Sequence, residues 1–237
     1  YFLKEHQQLD GVNLTFDETQ VFNPIDSVVS LEVFLKNLLV EKGKWNTREI
    51  YTNHKPGSMY EYSNTGTTLA AFVIEKATGE SFDAFTTTHI LKPIQMNASG
   101  WIFNAVNFSN HSKLYENPKT VLPFYGMISY PDGNFITSIH DLSLYLTELI
   151  RGYNGNGSIL SKESFTEFYR PQLSAENFTD RDHQNPYNES YNVGIFIGFG
   201  YSGYIGHTGG DPGVASMLFF DPKSNIGRIL ILNTSFS

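Results

Sequence analysis

Tyr62-Ser63-Asn64-Thr65-Gly66-Thr67-Thr68-Leu69-Ala70-Ala71-Phe72-Val73-Ile74-Glu75-Lys76-Ala77-Thr78-Gly79 is the stretch on which the fold turns. Leu69, Phe72, Val73 and Ala77 recur at helical spacing, so the segment from Thr65 to Thr78 is predicted to be a helix with one buried face, stopped by Gly79. Lys55-Pro56-Gly57 marks a turn upstream. Taken alone, Tyr62-Ser63-Asn64 is a helix start with a capping Asn; what surrounds it gives it more weight. Ser81 opens a further helix with Phe82 and Phe85 inward, and Pro93 ends the run.

Working outward, Leu31, Phe34, Leu35, Leu38 and Leu39 form an amphipathic stripe behind Ser30, a helix cap. Ser138 caps a strong helix carrying Leu142, Tyr145, Leu146, Leu149 and Ile150, and Ser161 caps a shorter one bearing Phe165 and Phe168. Residues 1 to 30 read as loop-rich, and residues 97 to 136 as a long irregular excursion. Strands are expected at 191–199, 203–208, 213–220 and 226–233, with turns such as Gly210-Asp211-Pro212-Gly213 short enough to require antiparallel pairing. The expected class is α+β: a mainly helical lobe over residues 1–190 and antiparallel strands over 191–237, together one compact two-lobed unit.

The chain has 237 residues, enough for a substantial core, and its aromatic content of 15% carries much of the burial because charged residues are only 17%. A net charge of −8 argues against a nucleic-acid partner, since phosphate binding needs clustered Lys and Arg. No apolar run is long enough for a membrane-spanning helix. With zero cysteines there are no disulfides and no thiolate chemistry, and the seven histidines show no paired metal-ligand spacing, so neither metal nor cofactor is expected. Eight Asn-x-Ser/Thr sequons, among them Asn13, Asn107 and Asn177, are what a chain rich in these residues produces by chance.

His207-Thr208-Gly209-Gly210, by itself a strand end with a tight turn, is followed by Gly213-Val214-Ala215-Ser216, Asp221-Pro222 and a run to Asn233. Together with Tyr62-Ser63-Asn64, Ile90-Leu91-Lys92-Pro93-Ile94-Gln95-Met96 and Ile159-Leu160-Ser161-Lys162-Glu163, this succession resembles the serine β-lactamase and D-alanyl-D-alanine carboxypeptidase superfamily, the penicillin-binding-protein-like enzymes and their class C-like branch. The resemblance runs from about Leu31 onward. It implies a cleft in which Tyr62 is part of the proton relay, Asn64 positions the substrate amide or the family's lysine by hydrogen bonds, and the strand at His207 holds the substrate edge-on. Ser63 would lie in that substrate-binding surface, Thr208 would bind a carboxylate, and the Gly210 N–H would be an oxyanion donor, with Gly209 and Gly210 leaving the backbone open. Histidine where the family usually has lysine implies that attraction of carboxylates depends on pH, since imidazoles in general are only partly cationic at neutrality. The reaction class implied is acyl transfer from a small-molecule amide, peptide or ester through an acyl-serine, in an exported bacterial protein of the periplasm or secreted.

The family's first box, Ser-x-x-Lys, is absent, because no serine here has a lysine three residues later. A phenol titrates near 10, so without adjacent cations Tyr62 is poorly equipped as a base. The expectation is a C-terminal part of such an enzyme, incomplete at both ends and inactive alone, with an open sheet edge beside Ile229–Leu232 that favours self-association. The rival is a catalytically inactive module that binds cell-wall peptide or a protein partner. Gly198-Phe199-Gly200-Tyr201-Ser202-Gly203 fits a dinucleotide fingerprint but leads into a strand rather than a helix, and Gly-x-Ser-x-Gly occurs nowhere.

Overall fold

The computed structural model describes residues 2–3, 29–58, 62–101, 106–122, 124–170 and 204–235. The strand expected at 191–199, the glycine-rich 198–203 segment and most of residues 1 to 30 lie outside the described residues.

Local capping sets the helix starts. Ser30 accepts the Val33 N–H at 3.3 Å ahead of α1 (Leu31–Leu39). Ser63, and not Asn64, caps α2 (Asn64–Thr78) by accepting the Gly66 N–H at 2.9 Å. Each such bond satisfies a donor with no partner inside the helix and is worth about 1 kcal/mol. Gly79 closes α2 in the left-handed conformation, φ 76°, which glycine alone adopts without steric cost.

The buried face of α2 differs from the expected stripe. Thr68 and Ala71 are buried while Leu69 and Val73 are 41% and 58% exposed. The helix is turned so that Thr68 meets the segment around Tyr130–Asp132, its hydroxyl donating to Asp132 Oδ2 at 3.2 Å.

The short α3 (Phe82–Thr86) continues into a wider turn over Thr87–Leu91, in which Lys92 N–H reaches the Thr87 carbonyl at 3.0 Å. Ser81 makes no side-chain cap here, and Glu75 on α2 accepts the Phe82 N–H at 3.0 Å, which ties the two helices together. Pro93 follows the wide turn, as expected from its missing N–H.

The excursion contains local order that its composition did not signal. A hairpin of β2 (Leu114–Asn117) and β3 (Thr120–Leu122) precedes β4 (Tyr125–Gly126), which pairs with β1 (Phe2–Leu3). Residue 100 bridges to residue 136, and the buried Asp141 carboxylate accepts from Ala98 N–H at 2.7 Å and Ser99 Oγ at 2.8 Å. Those bonds fix the segment leading into α4 (Ile139–Tyr153), whose cap is Ser138. Ser161 caps α5 (Lys162–Tyr169).

The final sheet is antiparallel in the order β5 (Ile205–Asp211), β6 (Val214–Asp221), β7 (Ile226–Leu232). Residues alternate between its faces. Ile205, Leu218, Phe220 and Ile229 meet Leu142, Leu146, Leu149 and Ile150 of α4 in the main core. Phe220 has no accessible surface and lies edge-on to Tyr153 and Tyr169 at 5.6 and 6.2 Å. Burial of each large side chain in this cluster contributes about 2 kcal/mol. The architecture is α+β and β-lactamase/transpeptidase-like, as expected.

Candidate active site

Tyr62 and His207 are 145 positions apart in the chain, yet their ring centroids are 5.9 Å apart with the planes tilted by 46°. Two local features bring them together. Ser63 is extended, φ −140° and ψ 110°, so Tyr62 stands off the start of α2 instead of continuing the helix. His207 sits on β5, which pairs with β6 without interruption from Ile205 to Asp211, opposite Leu218 in the core. The ring is held at one nitrogen: His207 Nδ1 bonds the Thr208 carbonyl. A carbonyl only accepts, so Nδ1 carries the hydrogen and Nε2 is the nitrogen left to meet a ligand.

Asn64, the first residue of α2, is exposed, and its side chain makes no hydrogen bond to the described residues. Ser63 is placed beside it, but its hydroxyl is already engaged as the helix cap, so its part in a substrate surface is limited to what a capping oxygen can still accept. Thr208 lies opposite Met217 and, by strand alternation, on the face away from His207. Gly209 and Gly210 are exposed. They differ in what a Cβ would meet: at Gly209 it would come within 2.7 Å of Ser216 Oγ, whereas at Gly210 it would enter open space. Only Gly210 therefore keeps approach to the strand clear; Gly209 relieves a contact within the sheet. Among the described residues β5 is paired on one flank only, which leaves backbone groups for an edge-on ligand.

Asp132 belongs to this neighbourhood and has no counterpart in the sequence expectations. Pro131-Asp132-Gly133 reads as a turn, and no periodicity signals that the carboxylate faces inward. Its Oδ2 accepts from the hydroxyl of the fully buried Thr68 at 3.2 Å, while Oδ1 is buried without a hydrogen-bond partner among the described residues. Burial pushes the Asp132 carboxyl up, against the opposing pull of hydrogen bonds from Ser129 and Thr68. The Tyr62 phenol is pushed up as well, first by partial burial and then by the negative charge of Asp132. Next to Asp132, Tyr130 joins an aromatic group with Phe82 and Trp101, and its phenol is raised by burial and by Asp83 and Glu75.

The arrangement offers a phenol and an imidazole beside a strand that, among the described residues, is paired on one flank only. Among the described residues no group of three or more His, Asp or Glu is placed to hold a metal ion. A separate depression of about 460 Å³, lined by Tyr153, Lys162, Phe165, Tyr169 and Arg170 among others, shares no residue with this space.

Similarity to known proteins agrees with the geometry. Residues 48–237 match the profile of the Beta-lactamase family. Protein flp of Staphylococcus aureus strain MW2 is 26% identical over 192 residues, which cover 76% of this chain and 34% of that protein. The chain thus spans about a third of the length of the curated relatives it matches. In three dimensions it is similar to a penicillin binding protein from Bacillus halodurans, with a TM-score of 0.66, 18% identity, and coverage of 89% of this chain and 60% of the other. A D-amino acid amidase from Ochrobactrum anthropi SV3, complexed with L-phenylalanine amide, superposes with a TM-score of 0.59 at 20% identity, covering 76% and 52%. At such identities the structural likenesses speak for the fold. The family profile covers most of the sequence, and from these findings together the chain belongs to the Beta-lactamase family.

Proposed function

We propose that this chain is the C-terminal part of a serine hydrolase that cleaves amide, peptide or ester bonds through an acyl-serine, of the D-alanyl-D-alanine carboxypeptidase, esterase or β-lactamase type. The nucleophile lies on a segment other than this one. The observation that carries the reading is the convergence of Tyr62 and His207 beside a strand that, among the described residues, is paired on one flank only. In this assignment Tyr62, Asn64 and His207 surround the scissile group. The Gly210 N–H supplies one oxyanion donor, and the second comes with the serine. His207 offers Nε2 as a hydrogen-bond acceptor when neutral and as a donor when protonated. Carboxylate-bearing substrates are therefore held best by the protonated ring, and Thr208 assists only along the strand edge because its side chain leaves the His207 face.

No helix among the described residues is long and apolar enough to cross a membrane. A periplasmic or secreted bacterial location follows only from the resemblance and forms part of this proposal, as does self-association through β7. A fluorescent penicillin or an alkyl fluorophosphonate tests the function. The 237-residue chain should remain unlabelled, since loss of a serine nucleophile costs about six orders of magnitude in turnover. The polypeptide encoded by the parent gene should be labelled at a serine of a Ser-x-x-Lys sequence upstream of Tyr1. Labelling of the isolated chain would refute the assignment. A parent without that box would favour the rival, a binding module for cell-wall peptide or a protein partner.

A further inference from the structure

Asn-Gly occurs twice in the chain, back to back at Asn154-Gly155-Asn156-Gly157, in the connection from α4 to α5. Asparagine is a thermolabile side chain. Its usual route of decay is attack by the backbone nitrogen of the next residue on the side-chain amide carbon. A following glycine, with no Cβ in the way, leaves that path most open. The two dipeptides are equal in sequence and both asparagines are exposed, yet the fold holds them differently.

At Asn154, the last-turn cap of α4, both the leaving group and the attacking nitrogen are tied. Its Nδ2 donates to the Ile150 carbonyl at 2.8 Å and to Asn225 Oδ1 at 2.9 Å, and the Gly155 N–H donates to the Gly152 carbonyl at 3.0 Å. Asn156 is tied less. Its Nδ2 makes one bond, to the Asn154 carbonyl at 3.2 Å, and the Gly157 N–H makes none among the described residues. Glycine at 157 is not replaceable, because a Cβ there would stand 2.1 Å from the Phe165 ring and 2.9 Å from Gly152 Cα. The packing of Phe165 thus imposes the reactive dipeptide.

We propose that Asn156 is a site of spontaneous deamidation, and that its isoaspartyl product loosens the junction of α4 and α5. The Gly157 nitrogen forms a bond to Asn156 Cγ, the Cγ–Nδ2 bond breaks, and ammonia leaves with the hydrogen from the attacking nitrogen. Water then opens the cyclic imide. Addition at Cγ gives aspartate; addition at the backbone carbonyl carbon gives isoaspartate, in which the chain runs through Cβ and Cγ and is one atom longer. That atom enters directly ahead of Gly157, which abuts the Phe165 ring, and ahead of the Ser158 and Ile159 N–H groups accepted by the buried Glu148 carboxylate. None of this depends on the acyl-transfer reading.

The test is ageing of the wild-type chain in warm, mildly alkaline buffer, which favours the attacking nitrogen as its anion. The tryptic peptide Gly152–Lys162 carries both asparagines and no other, and its fragment masses place the amide-to-acid change at 154 or at 156. In the folded chain Asn156 should react at least about tenfold faster than Asn154, since fewer hydrogen bonds must open. In urea the two rates should become equal. Asn225→Gly keeps the left-handed turn, φ 57° at Asn225, and removes one bond to Asn154; it should speed Asn154 by about fivefold and leave Asn156 unchanged. Aged protein enriched in isoaspartate should have a lower urea midpoint than Asn156→Asp, whose backbone is normal. An intact Asn156, equal rates in the folded chain, faster loss at Asn154, or a preference for Asn156 that persists in urea would overturn the site. Equal urea midpoints would overturn its consequence. Serine labelling of the parent polypeptide is indifferent to all of these results, so the two proposals fail separately.

Discussion

Gly152→Ala is the substitution whose outcome the packing determines most sharply. Gly152 lies in the last turn of α4 with no positive φ, so by backbone propensity alone alanine should stabilise the helix by about 1 kcal/mol. The added Cβ, however, would stand 2.2 to 2.4 Å from three atoms of the Phe165 ring. Carbon atoms pack at about 3.5 to 4.0 Å, so the ring would have to move by more than about 1 Å. Phe165 is 1% exposed, and on its other edge a Cβ at Gly157 would be only 2.1 Å from the same ring. Overpacking costs about 1 to 3 kcal/mol and, at this severity, the upper part of that range outweighs the propensity gain. We expect a net loss of about 2 kcal/mol, read as a fall in urea midpoint or in Tm of about 4 to 8 °C. Phe165→Leu should relieve the clash, so the double variant should be more stable than the sum of the two single losses. A Gly152→Ala protein as stable as the parent would refute the account of two glycines gripping one ring.

Three further outcomes follow from features described above or adjoining them. Glu32 on α1 is bonded by Lys36 at 2.7 Å and by Lys76 of α2, and these hold its carboxyl at about 2 instead of the ordinary 4.5. Because the folded value is the lower, the stabilisation is complete above about pH 4.5 and is lost as pH falls toward 2. The Tm difference between wild type and Glu32→Gln should therefore vanish near pH 2 and shrink in high salt. Gly213 has φ 77°, and a Cβ there would be 2.7 Å from Leu114 Cβ, so Gly213→Ala should lower stability by about 1 to 2 kcal/mol in chemical denaturation. On β7, Ile226, Leu230 and Ile231 are 52%, 41% and 36% exposed, and no described strand covers its outer flank. Sedimentation velocity should show concentration-dependent association that Leu230→Lys suppresses; a strictly monomeric wild type would count against it.

Local signals were legible in the sequence where local chemistry decides the outcome. Ser30, Ser138 and Ser161 cap their helices as read, and the hairpin at Asp211–Val214 follows from Pro212 and Gly213 alone. The meeting of Tyr62 with His207 was legible only through resemblance, since spacing says nothing about what lies between distant segments. The face of α2 differs from the stripe because Leu69 and Val73 are apolar, and apolarity does not say which neighbour is available; Thr68 and Ala71 are buried instead, with Thr68 bonded to Asp132. Likewise Ser81 is a good cap by type but makes no capping hydrogen bond, and the tie at this helix start comes from Glu75 of the preceding helix, which accepts the Phe82 N–H, a different donor from those a Ser81 hydroxyl would meet. Asp132 escaped notice for a related reason, since a turn sequence does not say that its carboxylate points inward.

The hairpin that ends β5 has a consequence for the whole cleft. Tyr125 donates its hydroxyl hydrogen to the Pro212 carbonyl at 2.7 Å, the Gly213 N–H donates to Ser235 Oγ at 2.9 Å, and Gly213 rests against Leu114 and Leu122. These contacts nail down the far end of a strand whose pairing with β6 runs unbroken back to His207. Were the strand to slide by one position, threonine would take the place of imidazole beside the phenol, and every side chain along it would change sides. The alignment of the reactive face is thus stored in a tight bend several residues away from it, and damage to that bend would disarm the cleft while leaving each of its side chains intact.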